Sequence, residues 1–259
     1  MNRKIVFCIS ILVSALALSA FAQQDPGTIT RGFRIKVKPG MAKQFEEAYK
    51  KHIAWHEQHK DTWFWDAYLI ESGDRIGEYV VITGDHHWSD FDNRGDMGKA
   101  DSADFAANGQ QYVESTEGWY SRMHPSLSRI PKDMGESYPI LRVTNYSLKG
   151  SHVENFKHVF AKYSKACEKT DRPNHFVVIE NLTGEDQPSF TVVGMEKSWA
   201  GMKPVEQSVG EMMREVYGSA EAESSRKMFF DAIRSQRTDM VRHLPELSYR
   251  PPSRPTTDE

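Results

Sequence analysis

Five imidazoles fall within 36 residues of this chain, at His52, His56, His59, His86 and His87, with Trp55 among the first three. His52 and His56 are four apart, so on a helix their rings share one face, a turn from each other. That spacing can present a base near neutral pH or offer two ligands to a transition metal. It equally suits a pair of hydrogen-bonded core histidines. No His-Glu-x-x-His pattern is present and no carboxylate stands at an obvious third-ligand spacing, so no metal and no cofactor are expected. The candidate bases are His52, His56 and His86, while His59 is expected to face solvent.

The same stretch is rich in aromatics. Trp63, Trp65 and Trp88, with Phe64 and Tyr68, could wall a cavity for a planar or apolar ligand, with Asp66 as polar anchor and His87 at the rim. Bulky aromatics on a half-buried strand also serve simply as core.

Their placement depends on a repeat. Gly73, Val81 and Trp88 recur as Gly184, Val192 and Trp199, each 111 positions later, and Phe45 recurs as Phe156. That period is far longer than the 20–50 residues of solenoid units and reads as one small domain written twice. The offset sets His52 against Tyr163 and His56 against Cys167. Both partners lie on the apolar stripe Val153, Phe156, Phe160, Tyr163 and Cys167, so the two histidines are expected to face the sheet. His86 and His87 fall against Lys197 and Ser198, so the fold does not need them.

In the first half, alternation predicts a strand over 33–37, a helix over 41–60, and strands over 63–70 and 78–83 about a turn at Gly73. Residues 89–109 read as an irregular loop or a poorly formed helix, 111–123 as a helix and 127–130 as a short fourth strand. The second half repeats the order. Strands are expected over 140–143, 176–180 and 190–193, and helices over 151–169, 205–217 and 224–243. Residues 131–135 read as a linker and 251–259 as a disordered polar tail.

Strand–helix–strand–strand–helix–strand is the ferredoxin-like order. The expected fold is therefore α+β, with two tandem ferredoxin-like domains (23–132 and 138–250) packed sheet to sheet as an intramolecular α/β barrel. The run from Val37 through Pro39, Gly40 and Phe45 to Tyr49 resembles the strand-to-helix entry of the dimeric α/β-barrel superfamily, which includes antibiotic biosynthesis monooxygenase-like and NIPSNAP-like domains. Tyr79 to Ile82 followed by Trp88 and Phe91 is similar to their third strand and helix start, and Phe190 to Trp199 repeats it less fully. The resemblance covers about 60 residues of each half and implies a fold rather than a reaction. The superfamily spans cofactor-free oxygenases, haem-degrading enzymes, isomerases and domains without known activity. The Asn/Trp/His set of the haem-degrading members does not stand at matching positions.

Arg3 and Lys4, an apolar run from Ile5 to Leu18 and Ala20-Phe21-Ala22 read as a signal peptide over 1–22, cleaved near Ala22 for periplasmic or secreted export. Removing Arg3 and Lys4 from the 33 basic residues leaves 31 against 36 acidic ones. A weakly acidic chain without a basic block is a poor nucleic-acid ligand, and no later run could span a membrane. Cys8 leaves with the leader, so Cys167 has no disulfide partner and reads as a small core residue. The sequence supports an exported small-molecule-binding protein with its pocket in the first domain. A cofactor-independent monooxygenase or isomerase using the same pocket, and a structural protein without a pocket, remain open beside it. Oligomeric state is not legible.

Overall fold

The computed structural model describes residues 27–131, 138–184 and 186–252. The expected leader, most of the linker and most of the tail lie outside them. The first half runs β1 (Ile29–Val37), α1 (Ala42–Gln58), β2 (Asp66–Ile70), β3 (Tyr79–His86), α2 (Trp88–Asn93), α3 (Gly95–Asn108) and β4 (Val113–Met123). The second runs β5 (Ile140–Leu148), α4 (Val153–Lys169), β6 (His175–Asn181), β7 (Ser189–Glu196), α5 (Val209–Tyr217), α6 (Ser219–Ala232) and β8 (Ile233–His243). Both ends of β5 and of α4 lie 111 residues beyond those of β1 and α1. The turn glycines Gly73 and Gly184 share positive φ, 81° and 91°, a conformation glycine adopts without steric cost.

All eight strands pair antiparallel in one closed barrel, in the order β1-β3-β2-β8-β5-β7-β6-β4. Each half supplies four consecutive strands, and the halves join at β2–β8 and β4–β6. The expected sheet-to-sheet contact is thus made edge to edge, which leaves no strand edge unpaired. Helices cover the outside. One core cluster lies under α1 around Phe45, Tyr49, Val81 and Trp65, and a second lies under α4 around Phe156, Phe190, Val178 and Met212.

One expected helix, and the second part of another, are strands. Tyr112, Val113, Trp119 and Tyr120 mimic a helical stripe, but 113–123 is rich in Ser, Thr and Gly and lies along the whole of β1. Helix α6 stops at Ala232, and 233–243 pairs with β5 over its length, because β8 must bridge β2 and β5 to close the barrel. Conversely, 89–109 forms α2 and α3. The expected strand at 127–130 is reduced to a 3-10 turn, Pro125–Leu127, and one bridge from Arg129 to Phe176.

Candidate functional site

Two places in the barrel gather chemistry, one in each half. In the first, α1 presents His52 and His56 inward at 5% and 1% exposure. The helix α3 lies across α1 and supplies Asp101 and Asp104, three residues apart on one face. His52 Nδ1 lies 2.8 Å from Asp104 Oδ2, and His56 Nδ1 lies 2.7 Å from Asp61 Oδ2. The two Nε2 atoms face each other at 3.3 Å, and Asp101 Oδ1 stands 3.3 Å and 3.6 Å from them.

Asp61, 1% exposed, anchors this cluster. Its carboxylate accepts both arms of Arg94 (2.5 and 2.7 Å), the Trp65 indole N–H (3.1 Å) and the Trp63 backbone N–H (3.0 Å). Burial would raise its pKa, but the bonds from Arg94, His56 and Trp63 and the Arg94 charge outweigh it. The carboxyl is held well below the usual carboxylate range. Arg94 also lies over the Trp63 ring, 4.2 Å from its centre, and the His86 ring lies 4.0 Å from the same indole, centre to centre.

His86 is 5% exposed and its Nε2 is 2.7 Å from Thr83 Oγ1. Burial pulls its pKa down to about 4, with Asp90 opposing. The folded value lies below the ordinary 6.5, so His86 stays neutral in the fold while the unfolded chain takes up a proton. Stability is complete above pH 6.5 and declines as pH falls toward 4, by roughly 3 kcal/mol from this group. His86→Phe keeps the contact with Trp63 and cannot titrate. Its melting temperature is expected to fall less between pH 6.5 and 4 than that of the unaltered protein. Parallel curves would remove His86 from the acid response.

Of the residues singled out in the sequence, His52, His56, His86, Trp63 and Trp65 come together here, but as a packed cluster rather than a cavity wall. Three do not join them. Asp66 is 3% exposed and accepts from Arg250 at 2.5 Å, with His243 at 3.8 Å. His87 is exposed at the start of α2, where its backbone N–H donates to Asp90 (2.7 Å). Trp88 is 49% exposed, against Phe91 and Tyr120. Asp61, Arg94, Asp101 and Asp104 were missed. The signal for the last two was their i, i+3 spacing inside a stretch read as irregular.

The large cavity lies in the second half instead, about 1090 Å³ between the outer face of β5, β7 and β8 and the helices α4, α5 and α6. The pocket expected in the first half had Trp63 and Trp65 as walls, and the 111 offset shows what stands at their places here. Trp63 and Trp65 fall against Asn174 and Phe176, and both of these smaller residues line the cavity. In the first half Trp65 is buried in the core cluster and Trp63 packs against it, partly buried.

The walls carry Tyr146, Phe160, Tyr163, Phe176 and Phe229. Arg142 projects from β5 as an exposed side chain. Arg172 is fixed by Asn174 Oδ1 (3.0 Å) and the Gln207 carbonyl (2.8 Å). Burial raises the Glu196 carboxyl against the pull of Arg142. The Tyr163 hydroxyl is pushed up to about 12, first by burial and then by Cys167, so near neutral pH it can donate a hydrogen bond but is no base. Cys167 itself is fully buried and its thiol is raised by burial.

No known protein family and no curated protein matches the sequence. Solved structures do match. A provisionally assigned monooxygenase from Fusobacterium nucleatum is 12% identical with a TM-score of 0.56, covering 85% of this chain and 94% of its own. One from Lactobacillus acidophilus is 7% identical with a TM-score of 0.55, covering 86% and 96%. Chlorite dismutase from Candidatus Nitrospira defluvii, in complex with imidazole, is 11% identical with a TM-score of 0.52, covering 86% and 93%. At these identities the likeness is one of fold, which the chain shares with these neighbours. Among the described residues no helix is long and apolar enough to cross a membrane.

Proposed function

We propose that this protein binds a small molecule with an apolar or aromatic body and an acidic group, held in the cavity of the second half. The observation that carries the reading is the combination of aromatic walls with an excess of cations. Arg142, Arg172, Lys203, Arg214 and Arg226 line the cavity against Glu196 and Glu223, five positive groups to two negative. A cavity of this size is in the range of small-molecule sites, and a few fixed charges in an apolar wall set ligand orientation. The leader over 1–22 fits an exported binding protein. A duplicated ancestral unit with domains over 23–132 and 138–250, one filled and one open, accounts for the matched element order.

Gly194 supplies the test. The three atoms nearest a Cβ there all belong to the Arg142 side chain, at 3.7–3.8 Å, and its φ is not positive, so the backbone accepts a side chain at this cavity-lining position. With 8-anilinonaphthalene-1-sulfonate as fluorescent aromatic anion, the unaltered protein is expected to show saturable binding. Gly194→Phe should abolish it, and Arg142→Gln should weaken it roughly tenfold or more, the usual size of a lost charge-assisted contact. Equal binding by the unaltered protein and Gly194→Phe would refute the placement.

A second reading, a cofactor-independent oxygenase or isomerase acting in the same cavity, is favoured by the fold shared with monooxygenases. It requires turnover of a bound aromatic acid with oxygen consumption or isomerisation, measured on the same variants.

A further inference from the structure

We propose that His52 Nε2, His56 Nε2 and Asp101 Oδ1 form a binding site for a divalent transition metal of the zinc class, separate from the cavity of the second half. The three atoms make a triangle with sides of 3.3, 3.3 and 3.6 Å. A zinc ion at its usual ~2.0–2.1 Å from tetrahedral ligands sets them roughly 3.3–3.4 Å apart, whereas octahedral neighbours at that bond length stand roughly 2.9 Å apart. The triangle fits the tetrahedral ion. Two imidazoles with one carboxylate also favour a borderline metal over magnesium or calcium, which prefer oxygen alone.

Proton placement points the same way. Each Nδ1 lies against a carboxylate, Asp104 for His52 and Asp61 for His56, and so carries its hydrogen as donor. With Nδ1 so engaged, Nε2 is the ring nitrogen left to offer a lone pair inward, the carboxylate–histidine–metal arrangement that fixes tautomer and ring angle. The centre of the triangle is consequently faced by three acceptors, and acceptors at 3.3 Å repel unless a cation lies between them. Arg94 cannot be that cation: it approaches Asp101 at the other oxygen, Oδ2, at 3.4 Å, and its hydrogen bonds to Asp61 hold it there. Charge agrees. Asp61, Asp101 and Asp104 against Arg94 leave two negative charges, which a dication neutralises. The ligands also come from two packed helices, the histidines from α1 and the aspartate from α3, so the geometry is held before binding. Asp101, with 17% of its side chain exposed, provides the route from solvent and leaves the fourth position for water.

The experiment uses tag-free full-length protein stripped with chelator, dialysed and loaded with zinc or cobalt. One zinc per chain is expected by elemental analysis, and the cobalt form should show the intense visible absorption of a tetrahedral site. Asp101→Asn should weaken zinc at least 100-fold by competition with a chromophoric chelator. Asp104→Asn, which touches no metal, should weaken it about 10- to 100-fold. Should Asp101→Asn fail to fold, Asp104→Asn and the unaltered protein decide. Sub-stoichiometric zinc in the unaltered protein, as a proton shared between the imidazoles would give, overturns the site. So do an octahedral cobalt spectrum and unchanged affinity in the folded variants. None of these readouts depends on the cavity ligand, so either proposal can fail alone.

Discussion

Asp61→Asn is expected to destabilise the protein by about 3–5 kcal/mol, the usual cost of removing one partner of a buried ion pair. The carboxylate is fully enclosed and receives bonds from Arg94, His56, Trp65 and the Trp63 backbone. The amide keeps the shape but not the charge, so the Arg94 guanidinium, 11% exposed, stays buried with its bidentate counter-ion gone and the longer 3.4 Å pair with Asp101 left. It also turns an NH₂ toward one of those donors. Against a typical total of about 5–15 kcal/mol, that loss is a large fraction. Guanidinium titration of the metal-free protein measures it. Adding Arg94→Met removes the orphaned charge while leaving a chain that can pack on Trp63, and should recover part of the loss. A shift under about 1 kcal/mol for Asp61→Asn would mean that the network is solvated rather than sealed. The depressed Asp61 pKa gives the same sign with pH. Its contribution is intact above the ordinary carboxylate range and is lost as pH falls below it, extending to lower pH the decline that His86 begins.

The sequence was most informative where side-chain periodicity and burial coincide. Phe33 and Ile35 on β1 and the stripe of α4 are half-buried or buried, and their apolar spacing declared strand and helix directly. The repeat then put His52 and His56 on the inward face, where they are. It failed where an element's form is imposed by distant partners. Strand β8 exists because β2 and β5 flank it, and nothing within 233–243 announces those neighbours. Part of the first-half cluster was hidden for the same reason. Asp61 was in view next to His59, but Asp101 lies 45 residues beyond His56 and reaches it only because α3 folds back across α1. The cavity of the second half was not legible in the sequence. Indoles signal apolar space without saying whether they border it or fill it, and only packing tells Trp63 from Asn174.

That difference between a filled and an open half makes a paired experiment possible. Phe45 and Phe156 occupy matching positions on α1 and α4, at 1% and 0% exposure. Truncating either to Ala is expected to cost about 3–5 kcal/mol in the transition midpoint, from lost transfer energy and the void left behind. The consequences elsewhere should differ. Phe45 rests on Tyr49 (5.6 Å) and Tyr79 (4.9 Å), both buried and remote from the cavity. Phe156 rests on Tyr146 (5.5 Å), Phe160 (4.7 Å) and Phe229 (6.0 Å), all three of which line it. Removing the Phe156 ring lets those walls lean away from the cavity, because close-packed neighbours relax into an adjoining void. Phe156→Ala should therefore change the affinity for the aromatic anion several-fold at a temperature where the variant is fully folded. Phe45→Ala, equally destabilised, should leave it within error of the unaltered protein. Equal shifts in the two variants would show that probe binding tracks global stability, and the aromatic packing around Phe156 would then have no part in shaping the site.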